Sequence, residues 1–158
     1  MTSRLSKSEF QSRLKGLTRT GEPTIMGTPF APILLFDSSR KPFYGQYTAT
    51  DFRITLNKVL GSSGFIVEGR YSEYGVRTEL DYKIKPILFA YYWKRLIPIF
   101  GFILFNGILI DNLKTFRWDI ELVVNGIIGL GTFIALKMEK FRKEQIEKEF
   151  VREFEVTP

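Results

Sequence analysis

The chain contains no cysteine and no histidine. The first absence excludes disulfides, thiolate zinc sites and thiol nucleophiles, and the second excludes any triad built on an imidazole base. Neither identifies a redox compartment, because a cysteine-free chain suits either side of a membrane. Charge is missing as well, but only locally. "LIPIFGFILFNGILI", Leu96 to Ile110, carries none, and Asn106 is its one strongly polar residue. "LVVNGIIGLGTFIAL", Leu122 to Leu136, carries none either. A helical pair in a soluble domain should show a polar stripe on each helix, whereas these segments are apolar almost all round.

What is present divides the 158 residues into unlike parts. Residues 1–85 and 137–158 are mixed and charged, and residues 86–136 hold two apolar blocks. The mean hydropathy of −0.04 averages over that division. The net charge of +6 suits nucleic acid or anionic lipid. Placement favours lipid. Lys94 and Arg95 directly precede the first apolar block, and Lys137, Lys140, Arg142 and Lys143 follow the second. Positive charge flanking spans is the pattern of the positive-inside bias. No secretory leader is expected, since the run at 29–36 is broken by Pro29 and Pro32.

Along the chain, "LSKSEFQSRLKGL" (5–17) reads as a short helix. Ser6 and Glu9 fit a capping box, Leu5 and Phe10 a hydrophobic staple, and Phe10, Leu14 and Leu17 share one face. Such a helix must dock, either on its own protein or on lipid headgroups. Residues 18–41 read as a Gly- and Pro-rich connector, with a short strand at Ile33–Phe36. Then "DFRITLNKVL", "FIVEGRYSE" and "VRTELDYKIK" alternate apolar and polar residues around the turns "GSSG" and "YG", and "FYGQYTAT" adds a leading strand. Period-2 alternation with turns between predicts a three- or four-stranded antiparallel meander with one wet face. Its apolar face needs a cover. Met138, Phe141, Ile146, Phe150 and Phe154 make an approximate helical stripe that can supply one, with coiled-coil pairing as the rival use.

Leu96–Ile110 alone spans roughly 22 Å as a helix, short of the ~30 Å hydrocarbon core. Backward extension through "PILFAYYW" makes up the length, with Trp93 at interface depth and Lys94 and Arg95 snorkelling. Trp118 and Lys137 bound the second block, and "DNLKTFRWD" (111–119) joins the two. The reading is a transmembrane hairpin. The basic clusters at 94–95 and 137–143 put the sheet and both termini in the cytosol, at the inner (cytoplasmic) membrane.

Few residues suggest chemistry. Asn106 and Asn125 lie at similar depth in such a hairpin. They either hydrogen-bond between spans or protomers, or sit wetted at a thin membrane. Gly126 and Gly129, in "GIIGLG", neither follow a strand nor open a helix, so they read as small residues for helix packing rather than a phosphate loop. Glu121, beside the second block, reads as a boundary residue. Tyr44, Tyr47, Tyr71 and Tyr74 with Arg53, Arg70 and Arg77 could stack bases, but Glu68, Glu79 and Asp81 interrupt such a face, so nucleic acid is disfavoured. No catalytic set, cofactor or metal spacing is found.

The marks Phe43, Gly45, Phe52, Ile54, Gly69, Thr78 and Pro86, followed by two spans and a Phe/Glu/Lys-rich tail, resemble a pattern in small uncharacterised bacterial membrane proteins. The arrangement is also loosely similar to the YcxB-like group, which pairs two spans with a small pleckstrin-homology-like sheet, the spans there preceding the sheet. That resemblance implies no activity or substrate. In architecture alone the chain is similar to two-span anti-phage effectors whose β-rich module senses cyclic nucleotides. The expected organisation is a helix and connector (1–41), a cytosolic antiparallel sheet (42–85), a transmembrane hairpin (86–136) and a cytosolic amphipathic helix (137–158). The expected role is a non-enzymatic α+β membrane protein that presents its sheet to a protein or small ligand and self-associates through its spans. The alternative is an effector whose spans oligomerise and disrupt the membrane when the sheet binds a signal.

Overall fold

A computed structural model describes residues 1–28, 41–57, 64–111 and 118–157. The fold is α+β. Its strands are β1 (Thr2–Ser3), β2 (Thr18–Thr20), β3 (Phe43–Tyr47), β4 (Asp51–Leu56), β5 (Phe65–Tyr74), β6 (Arg77–Pro86) and β7 (Val156–Thr157). The helices are α1 (Lys7–Leu17), α2 (Leu88–Asp111) and α3 (Trp118–Glu153), with a 3-10 turn at Pro23–Gly27. The strand expected at Ile33–Phe36 lies outside the described residues.

The alternating segments form consecutive antiparallel neighbours β3 to β6. The sheet is nevertheless larger than the three- or four-stranded meander that alternation predicts. It has seven strands in the order β2-β3-β4-β5-β6-β1-β7, and it is mixed, because β2 runs parallel to β3. The three additional strands are two or three residues long. Segments that short cannot display a period of two, so no pattern announces them. They exist because the sheet edges recruit them. Thr2 pairs with both Glu79 and Thr157, which places the two ends of the chain side by side.

The capping box forms at the start of α1. Ser6 N–H donates to Glu9 Oε2 at 2.9 Å, and Glu9 N–H donates to Ser6 Oγ at 3.4 Å. Phe10 and Leu14 are fully buried, so α1 docks on the sheet of its own chain. Beside it lies the end of α3, whose Ile146 and Phe150 are buried, with Phe154 just beyond. These side chains meet Phe43, Phe52, Ile54, Val67, Tyr71 and Leu80 from the inward face of the sheet in one core. Aromatic rings dominate it. Phe52 and Phe150 stack with centroids 5.4 Å apart, and Phe150 also lies 4.9 Å from Tyr82 and 5.0 Å from Phe154. Gly69 makes room for this packing. A Cβ there would come within 2.9 Å of the Phe52 ring and 2.6 Å of Asp81 O.

The second apolar block and the amphipathic tail are one helix. α3 runs 36 residues without a break, about 54 Å. Within the expected stripe, Ile146, Phe150 and Phe154 are buried, whereas Met138 and Phe141 stay exposed.

Candidate functional site

α2 and α3 lie against each other. Asn106 faces Asn125, and Arg95 faces Glu139. The order of these two pairings is reversed between the helices, so they run antiparallel. Over residues 121–142 of α3 the partly covered positions Glu121, Asn125, Ile128, Thr132, Ala135, Glu139 and Arg142 recur at alternating steps of four and three, with Val124 beside them. That spacing keeps one seam turned toward a partner helix. Within the apolar part of α3, residues 121–136, the polar side chains Glu121, Asn125 and Thr132 all stand on the seam. Asn106 and Asn125 exchange two hydrogen bonds, each 3.2 Å, and Asn106 Nδ2 also donates to Phe102 O. Thr132 Oγ1 donates to Ile128 O at 2.7 Å. Glu121 Oε2 is buried and has no hydrogen-bond partner among the described residues.

The outward faces are the reverse. Leu104 is 64% exposed, Ile108 65%, Leu122 72% and Phe133 56%. In a water-soluble helix pair the apolar residues would face inward. Here polar residues share the seam with Ile128 and Ala135, and large apolar side chains face out. Leu88–Ile108 and the start of Glu121–Glu153 are long and apolar enough to cross a membrane.

Of the expected interface residues, Trp93, Lys94, Arg95 and Lys137 cluster at one end of this pair. Trp93 is half exposed and stacks on Phe89 at 5.4 Å. Arg95 covers the Tyr91 ring at 3.5 Å and binds Glu139 at 3.1 Å. Lys137 lies over Phe133. Trp118 opens α3, but its side chain lies outside the described residues, as does most of the 111–119 connector. Gly126 and Gly129 are exposed and lie off the seam. A Cβ at either would meet nothing within 4 Å, so within one chain neither takes part in packing against α2.

The outward face of the sheet presents two charge ladders. Register aligns Asp51, Arg70 and Asp81 across β4, β5 and β6, and next to them Arg53, Glu68 and Lys83. Arg70 Nε donates to Asp51 at 3.0 Å, and Lys85 donates to Glu68 at 3.1 Å. The Thr50 hydroxyl, 2.6 Å away, holds the Asp51 carboxyl below its usual range, and the Arg70 guanidinium adds to this. The ladders floor a shallow groove of about 340 Å³. Of the tyrosines that could have stacked bases, Tyr44 and Tyr71 are buried, and only Tyr74 is well exposed. No group of acids that could hold a metal occurs among the described residues.

Sequence reading allowed for the Asn106–Asn125 pair but missed that Glu121, Thr132, Glu139 and Arg142 continue it as a polar seam. Its signal was available, because Glu121, Asn125, Thr132, Glu139 and Arg142 already stand at heptad-like intervals. No family model, curated protein or solved structure matches the chain.

Proposed function

We propose that the protein is a two-span integral protein of the inner membrane that holds its sheet at the cytosolic surface for binding or assembly. The observation that carries this reading is the inverted polarity of the helix pair, with amides and a carboxylate at the seam and bulky apolar side chains outside. Burying that belt in lipid removes from water an area that no other described part of the chain covers. A second observation supports two crossings rather than one. β3 to β6 precede both helices, yet their core is completed by Phe150 and Phe154 after them. Both ends of the pair must therefore lie on one side of the bilayer. The basic residues at that end make it the cytosolic side. The charge ladders on the free face of the sheet are the surface offered to a partner.

The absence of cysteine makes the test direct. Ser72→Cys, on the exposed face of the sheet, and Thr115→Cys, between the helices, are labelled in intact cells with a membrane-impermeant maleimide. Labelling of position 115 alone is expected. Labelling of 72 alone would invert the topology, and a protein released by carbonate washing would end the membrane reading.

A second reading draws on the same seam. If several copies gathered, Glu121, Asn125 and Thr132 would line a polar path, as in a membrane-disrupting effector. Dye leakage from vesicles holding the pure protein, abolished by Asn125→Leu, would favour it over a constitutive anchor.

A further inference from the structure

Where α2 and α3 meet the sheet, positive charge exceeds what the described residues neutralise. The ammonium of Lys94 interacts with Arg142, Glu139 and Arg95. The Arg95 side chain is one-third exposed and uses its guanidinium on Glu139 and Tyr91 O. Glu139 is thereby occupied. Lys94 and Arg142 are half-buried, and no described residue gives either a hydrogen bond or a close ion pair. Three cations thus surround one carboxylate, with two charges left over. Partly desolvated cations gathered at one carboxylate repel one another unless a further anion joins them. The Lys94 ammonium lies beside Gly64, where a Cβ would come within 3.1 Å of it. The stacked pair Phe89 and Trp93 sits one turn away, in the position of an interfacial aromatic belt.

We infer that Lys94 and Arg142 form a discrete site for the phosphate of an anionic phospholipid, held in the cleft between the two helices beside the Arg95–Glu139 pair. The guanidinium of Arg142 can bind two phosphate oxygens in parallel, and Lys94 supplies a compact second charge. Exposed Lys140 and Lys143 lie outside the cleft and contribute only diffuse attraction. The inference rests on the membrane reading above. It is therefore tested only on protein already found to resist carbonate extraction, so that a failure here leaves that reading standing.

The full chain in a neutral detergent is titrated with phosphatidylglycerol, and bound lipid is counted by native mass spectrometry. Phosphatidylcholine and inorganic phosphate serve as comparators. The double variant Lys94→Gln/Arg142→Gln is expected to weaken phosphatidylglycerol binding by at least ~10-fold, the scale of losing one charge-assisted hydrogen bond. Lys140→Gln/Lys143→Gln, with the same change in net charge, should weaken it less than ~3-fold by the diffuse term alone. The exchange Lys94→Arg/Arg142→Lys should restore binding, which a merely misfolded variant could not do. Equal losses in the two Gln variants would overturn the site. Displacement of the lipid by millimolar phosphate would overturn its assignment to a lipid headgroup.

Discussion

Phe150→Ala should separate the sheet from the membrane helices. Phe150 is fully buried and touches three other rings, those of Phe52, Tyr82 and Phe154. Truncation of such a phenylalanine costs about 3–5 kcal/mol, the transfer term plus the cavity left behind. Whole domains are stable by only about 5–15 kcal/mol, so the sheet would be close to unfolding at room temperature. For a module of this size the loss corresponds to a fall in Tm of at least about 12 °C. Near-ultraviolet circular dichroism reports it in detergent, because the core is built from Phe and Tyr while both tryptophans lie in or beside the helix pair. Carbonate extraction should be unchanged, since the outward apolar faces are untouched. A double-mutant cycle with Phe52→Ala should return a coupling of about 0.5–1.5 kcal/mol for the stacked pair. A loss below about 1 kcal/mol on Phe150→Ala would refute the reasoning. The end of α3 would then not be packed on the sheet, and the argument that both ends of the helix pair share one side would fall with it.

Further expectations follow from other contacts. Asn106→Ala leaves the Asn125 amide unpaired in the seam and should weaken helix association by about 0.6–2 kcal/mol, measured by resistance of the folded protein to SDS. Gly69→Val drives a side chain into Phe52 and the Asp81 carbonyl and should cost about 1–3 kcal/mol in the same thermal assay. Asp51 and Glu9 both have carboxyls held below their usual range, Asp51 chiefly by Thr50 and Glu9 chiefly by the Ser6 hydroxyl. A lowered folded-state pKa means that their stabilising effect is present above about pH 4 and is lost as pH falls through the folded values. Asp51→Asn should therefore flatten the acid side of a Tm-against-pH curve, and an unchanged curve would count against the hydrogen bonds described for it.

The parts that could be read from the sequence are those with a long period. The alternation in 51–85 announced β4, β5 and β6, "FYGQYTAT" announced β3, and the S-x-x-E box announced α1. The edge strands could not be read, because Thr2–Ser3 and Val156–Thr157 are chosen by the edges they meet and not by their own pattern. The division at residue 136 followed a change in polarity that the backbone ignores, since hydropathy reports surroundings while helix continuity depends on backbone hydrogen bonds. The seam was overlooked for a different reason. Four apolar residues for every polar one make a segment look uniform, even when each polar residue returns on the same side. Glu121 was assigned to the boundary on sequence position alone, which gives no hint that one of its oxygens is buried.

The closing of the sheet by residues that follow the helices has a consequence for biosynthesis. Once Pro86 has emerged, the ribosome must still add the whole of α2 and most of α3 before Phe150 exists. At about 5–20 residues per second that is several seconds. Throughout that interval the aromatic inner face of β3 to β5 lacks the cover of Ile146, Phe150 and Phe154, while, on the two-span reading proposed above, the apolar helices pass to the membrane. The growing chain thus carries two sticky surfaces at once, one meant for lipid and one for its own tail. Production of this protein should accordingly be limited by insertion rather than by translation. A block in insertion should yield aggregates nucleated by the unfinished sheet, and not a soluble domain lacking its anchor.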